Sequence, residues 1–151
     1  MVGICEDMCP EEERIRRIQE CDAHKLELLP DASNTKWYRG TMIKKLQKSS
    51  ADHSLQIPEH LRTPETLLKT ITYIEEVLMD KSGDPYFTHG DTSSKLVVYL
   101  FIWDRYRMIA KDFTLQSTAL QVSDLWFECH ERMARWMIYM DHFMRTEGIY
   151  L

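Results

Sequence analysis

Glycine and proline are scarce, with five of each in 151 residues. That removes the punctuation many short strands and hairpins need and favours long helices. No apolar run exceeds the eight residues from Leu96 to Trp103, well short of the roughly 20 needed to cross a bilayer. Residues 1 to 10 lack the apolar core of a signal peptide, so a soluble, intracellular protein with no membrane segment is expected. Positive charge is also short: the net charge is −5 and the isoelectric point about 5.7. General electrostatic gripping of nucleic acid, which usually shows as a pI above about 9, is therefore not expected. The four cysteines, Cys5, Cys9, Cys21 and Cys129, are read as free thiols in the absence of a secretory signal. There is no paired-His metal motif, Gly-rich phosphate loop or Gly-x-Ser-x-Gly elbow. Cys129 and His130 are adjacent and would point about 100° apart on a helix, so they cannot act on each other.

What is present is a packed-protein composition, 44% hydrophobic with nine Met, four Trp, seven Tyr and five Phe. The length suits one domain or half of a larger helical array. The chain centres on Leu96 to Gln116, where the longest apolar run passes directly into dense charge and aromatics. Val97, Val98, Tyr99, Phe101 and Ile102 alone have strand character. The continuation favours a helix: apolar residues recur at Phe101, Ile102, Tyr106, Ile109 and Phe113, with no Gly or Pro between. Ser93 or Ser94 is the expected N-cap and Asp112 the approximate end. Arg107 and Lys111, four residues apart, share a face, and Arg105 lies elsewhere on the wheel.

Other helices announce themselves by their ends. Pro10 followed by Glu11, Glu12 and Glu13 predicts a helix from Pro10 to about Ala23. Expected pairs within it are Glu12 with Arg16 and Glu13 with Arg17. A second helix is expected from Thr35, with Trp37, Met42, Ile43 and Leu46 on one side and Lys44, Lys45 and Lys48 on the other; Gly40 weakens it. Ser49 to Ser54, ending near Pro58, is a connector. Thr63-Pro64-Glu65 opens an amphipathic helix through Leu67, Leu68, Ile71, Ile74 and Leu78 to Met79. Asp80 to Asp91 breaks it, and Phe113 to Val122 is a linking turn. Ser123-Asp124 begins the last helix, striped by Trp126, Cys129, Met133, Trp136, Met137, Met140, Phe143 and Met144 and ended by Gly148. The stripe reads as core or equally as an interface. The whole reads as all-α, about five helices stacked in pairs as a right-handed array. Within one region spanning 1–151, the segments are 1–9, N-terminal helices over 10–48, a linker over 49–62 and the array over 63–145.

Cys5, Cys9, Cys21 and His24 are four soft ligands in 20 residues, and zinc has to be weighed. Their spacing fits no common structural zinc pattern. A helix between Cys9 and Cys21 would separate them by about 18 Å, beyond one ion. No metal and no cofactor is expected.

The pattern Gly3-x-Cys5-x-Asp7-Met8-Cys9-Pro10-x-x-Glu13-Arg14 resembles the opening motif of the GANP family, the germinal-centre-associated nuclear protein and its fungal and plant relatives. The likeness continues through Ser49-Ser50-Ala51-Asp52, then Leu61-Arg62-x-Pro64 with Leu67, Thr70, Tyr73 and Met79-Asp80. The central block is Phe101-x-Trp103-Asp104-Arg105-x-Arg107-x-Ile109-x-Lys111-Asp112-x-Thr114-x-Gln116, and His142-Phe143-Met144 resembles a later piece. The chain departs from the family at Ala110, where a basic residue is usual.

The resemblance implies a non-enzymatic helical scaffold for mRNA export from the nucleus, at the nuclear pore. It also implies a PCI-like domain that pairs with a second PCI-type protein and a small acidic subunit, in an assembly that binds mRNA. This chain is expected to hold the N-terminal part of that domain, without the winged helix. One alternative is a short member acting at centrosome and spindle. Another is an RNA-binding module using Arg105, Arg107, Lys111, Lys44, Lys45 and Lys48, with Arg107 and Lys111 the first RNA-contact candidates. For Asp104, Arg105, Arg107 and Asp112, the expected role is to lock neighbouring helices through partly buried pairs.

Overall fold

The computed structural model describes residues 2–27, 38–46, 57–79, 92–117, 123–146 and 148. The protein is all-α. Helix α1 spans Glu11–Gln19, α2 is a single turn over Tyr38–Thr41, and α3 spans Pro64–Tyr73. A π-helical turn, Ile74–Leu78, continues α3, and α4 (Thr92–Gln116) and α5 (Asp124–Thr146) are the long elements. Short 3₁₀ turns lie at Lys25–Glu27 and Pro58–His60. The only β pairing among the described residues is an isolated parallel bridge between Cys5 and Arg62.

Helix ends follow their capping residues. The Thr63 hydroxyl accepts from the Thr66 amide at 3.1 Å, and Pro64 takes the first helical position. Ser123 accepts from the Trp126 amide through its side chain, and Gly148, at φ 80°, follows the end of α5. The first turn of α1 carries Glu11, Glu12 and Glu13, but the helix stops at Gln19, short of Ala23. There Cys21 takes a positive φ of 54° and the Asp22 amide bonds back to Arg17 O.

The Leu96–Trp103 run is helix, not strand, and α4 extends one turn beyond Asp112 to Gln116. Its competing strand character is overridden because the run is covered from two sides. Helix α3 supplies Leu67 and Ile71, the π-helical turn after it Ile74 and Leu78, and α5 Cys129, Met133, Trp136, Met140 and Met144. The indole of Trp136 stacks on Tyr99 at 5.3 Å and meets the Tyr106 ring edge-on at 5.2 Å. The Met and Trp stripe of α5 is thus core on one side, while Phe127, Ile138 and Tyr139 stand exposed on the other.

The helix expected from Thr35 is described only as the single turn of α2, Tyr38–Thr41. Residues 42–46 are not helical, although their apolar spacing suggested it. Their amides have partners outside the segment: Ile43 donates to Glu27, Lys44 to Met8 O, Lys45 to Glu13 and Leu46 to Asp104. Side-chain carboxylates and a distant carbonyl replace the helical ladder, and Met42, Ile43 and Lys44 are buried together. Helix α4 begins at Thr92, so Ser93 and Ser94 stand inside its first turn and neither is its N-cap; the Ser49–Ser54 connector and the Asp80–Asp91 break fall outside the described residues.

Candidate functional site

Two fully buried carboxylates organise the polar interior. Asp112 and Gln116, one turn apart on α4, face inward. Asp112 Oδ1 accepts from Lys44 Nζ at 2.8 Å, and Oδ2 accepts from Arg62 Nε at 2.8 Å. Arg62 also donates to Met8 O, and Lys44 to His60 O. Gln116 donates to Arg62 O at 2.8 Å and accepts from the Gly3 amide at 2.9 Å. Gly3 is required here: a Cβ would lie 2.8 Å from Leu61 Cβ and closer still to the Leu61 carbonyl. The neighbouring Cys5 amide donates to Leu61 O, and Cys5 O accepts from the Thr63 amide.

Glu27 is the second node. It accepts from Arg17 and Arg105, from the Ile43 amide at 2.8 Å and from the His24 amide at 3.0 Å. Burial alone would raise its pKa. The Arg105 charge, with the hydrogen bond and charge of Arg17, outweighs burial and holds the carboxyl below the ordinary value. Arg17, although buried, is held above its ordinary value by the same Glu27 bond. Burial is also the leading influence on His24, lowering its pKa with the nearby Arg105 charge. The His24 ring accepts from the Leu26 amide and lies 4.6 Å from the Phe101 ring. The Arg105 guanidinium sits 4.1 Å from the Phe101 ring centre.

Glu13 and Asp104 complete the set. Glu13 accepts from Cys9 Sγ and the Lys45 amide and pairs with Arg17 at 3.7 Å. Asp104 accepts from the Leu46 amide and from Arg105 at 2.8 Å. Arg14, buried, donates to Cys9 O at 2.8 Å and pairs with the exposed Asp7. Burial, with Glu13 beside it, pushes the Cys9 thiol far up. Chemically the arrangement is a clasp of charge-assisted hydrogen bonds joining the first 17 residues, the 42–46 segment and α4.

Of the sequence-predicted residues, Gly3, Met8, Cys9, Glu13, Arg14, Asp104, Arg105, Asp112 and Gln116 gather in or beside this clasp. Pro10 is buried at the head of α1. Trp103 and Arg107 are not part of it. Arg107 follows Arg105 by two residues, about 200° round the helix, and is exposed with its guanidinium 4.9 Å from the Trp103 ring centre. The expectation that it locks helices is corrected accordingly. Lys111 is half-buried. The lysine strip is also revised: Lys44 is buried on Asp112, Lys45 pairs with Asp22, and Lys48 lies outside the described residues. The four cysteines are free thiols. Cys5 Sγ bonds Asp7 O and Cys9 Sγ bonds Glu13. No group of three or more His, Cys, Asp or Glu among the described residues is placed to hold a metal. Nor is any described helix long and apolar enough to cross a membrane. Glu27 is the member sequence reasoning missed; Arg17 was expected to pair with Glu13, which it does at 3.7 Å, but not to meet Glu27, and Arg62 stood in a motif block without a role.

A family model for SAC3/GANP proteins matches residues 8–150. The chain belongs to the SAC3/GANP family. It is 34% identical over 116 residues to Protein xmas of Drosophila melanogaster, covering 76% of this chain and 5% of that protein. It is 30% identical over 142 residues to SAC3 family protein 1 of Schizosaccharomyces pombe, covering 93% of this chain and 12% of that one. SAC3 family protein B of Arabidopsis thaliana is 29% identical over 116 residues, 77% of this chain and 6% of the relative. The chain thus corresponds to a small part of each of these longer SAC3/GANP proteins.

Proposed function

We propose that the chain is a non-enzymatic SAC3/GANP scaffold segment serving mRNA export in the nucleus, at or near the nuclear pore. Its role there is to present helices to a PCI-type protein and a small acidic subunit. The carrying observation is the clasp: Glu27 and Asp112 are fully buried and engaged by cations and backbone amides. The motif charges therefore build a support and do not line a reactive cleft. The outward side chains of α4 and α5, including Leu100, Trp103, Phe127, Ile138 and Tyr139, remain for partners. The test is co-purification of the tagged chain from nuclear extract, with Ile138→Glu as comparison. Recovery of a PCI-type protein, lost with Ile138→Glu, supports the proposal. A folded chain that recovers none rejects it.

A second reading is RNA contact through Arg107 and Lys111, favoured by the exposed Arg107 beside Trp103. It requires RNA affinity that falls steeply with salt and is lost in Arg107→Glu. Absence of RNA binding at low salt ends it.

A further inference from the structure

The pinning of Gly3 has a consequence for the opposite side of its segment. With Gly3 and Cys5 turned inward against Leu61, the alternation of extended backbone turns Val2 and Ile4 outward. They are 48% and 58% exposed. The Ile4 amide donates to Pro58 O at 3.0 Å, which sets Ile57, itself 37% exposed, beside them. Three exposed aliphatic residues from two distant parts of the sequence are thus carried on backbone segments that are hydrogen-bonded to each other.

Apart from His60, the charged residues of these two segments are all acidic. Glu12 reaches His60 at 2.6 Å, which brings the start of α1 against the Pro58–His60 turn and Glu59. Residues 2–13 and 57–60 contain Glu6, Asp7, Glu11, Glu12, Glu13 and Glu59, and neither Lys nor Arg. Glu13 is buried in the clasp, while Glu6 and Glu59 are exposed. Asp7 and Glu12, though paired with Arg14 and His60, keep 60% and 77% of their side-chain surface open. Phosphates would be repelled here, and cationic groups attracted.

We infer that Val2, Ile4 and Ile57, rimmed by Glu6, Asp7, Glu12 and Glu59, form a docking surface for a basic protein segment that also carries aliphatic side chains. The aliphatic trio supplies the desolvated centre, and the carboxylates fix orientation and speed encounter. The surface lies on the N-terminal segment, the α1 start and the Pro58–His60 turn, and does not depend on the export role.

The test is fluorescence anisotropy of the whole chain with a labelled amphipathic peptide, leucines on one face and lysines and arginines on the other. A version with glutamates replacing the basic residues serves as control. The basic peptide should bind, weaken with added salt, and lose about tenfold in affinity with Ile4→Glu. Joint Glu6→Lys and Glu59→Lys substitution should weaken binding several-fold, mainly by slowing association. All three substitutions are at exposed positions, so thermal melting should match the parent. No binding at low salt overturns the inference. So does binding unchanged by these substitutions, or equal binding of the acidic peptide.

Discussion

Gln116 bonds Gly3 across 113 residues of sequence, its side-chain oxygen accepting the Gly3 amide at 2.9 Å while its nitrogen donates to Arg62 O. This amide closes the N-terminal segment onto α4. Gly3→Ala would force a Cβ into Leu61. A loss of about 1–3 kcal/mol is expected from that overpacking, read by urea unfolding.

Asp112 holds Arg62 and Lys44 with no water-exposed surface of its own. Asp112→Asn should cost about 3 kcal/mol or more, because two buried cations lose their counter-charge. Replacing the Arg62 and Asp112 pair together by Met and Leu should restore part of that loss. A double-variant loss equal to the sum of the two single losses would show that the two side chains do not act as a pair.

Stability should fall in two stages on acidification. His24 has a lowered pKa, so the unfolded chain takes up a proton that the folded chain resists once the pH drops below about 6.5. Glu27 is lowered from about 4.5, so its contribution is complete above that value and is lost as pH falls through the folded pKa. Unfolding free energy against pH should lose its first decline in His24→Asn and its second in Glu27→Gln.

The thiols should separate by reactivity. Cys21 is exposed, whereas Cys129 is buried with its pKa pushed up to about 11 by that burial. At about pH 8 a chromogenic disulfide reagent should modify Cys21 first, and Cys9 and Cys129 only as the chain unfolds. Rapid modification of Cys9 in the folded protein would contradict the closed clasp.

The helices were legible where local chemistry decides. Pro10, Thr63 with Pro64, Ser123 and Gly148 marked ends, and the spacing from Leu67 to Leu78 and from Cys129 to Met144 marked buried faces. Residues 42–46 were not legible, because their amides answer to Glu13, Glu27 and Asp104, which lie 32, 16 and 58 residues away from the amides they accept. Periodicity carries no record of such partners. Glu27 was missed for the same reason: a glutamate among leucines gives no sign that two arginines will enclose it. Within the central motif the helical angle did separate Arg105 from Arg107. Which of them turned inward depended on Glu27.

The central claim is that the charged motif residues hold the scaffold together. The most direct measurement is denaturant unfolding of Arg105→Ala beside Arg107→Ala. Arg105 is buried between Glu27 and Asp104, so its loss should cost about 2–4 kcal/mol. Arg107, exposed beside Trp103, should cost less than about 1 kcal/mol. An Arg105→Ala protein as stable as the parent would contradict the account.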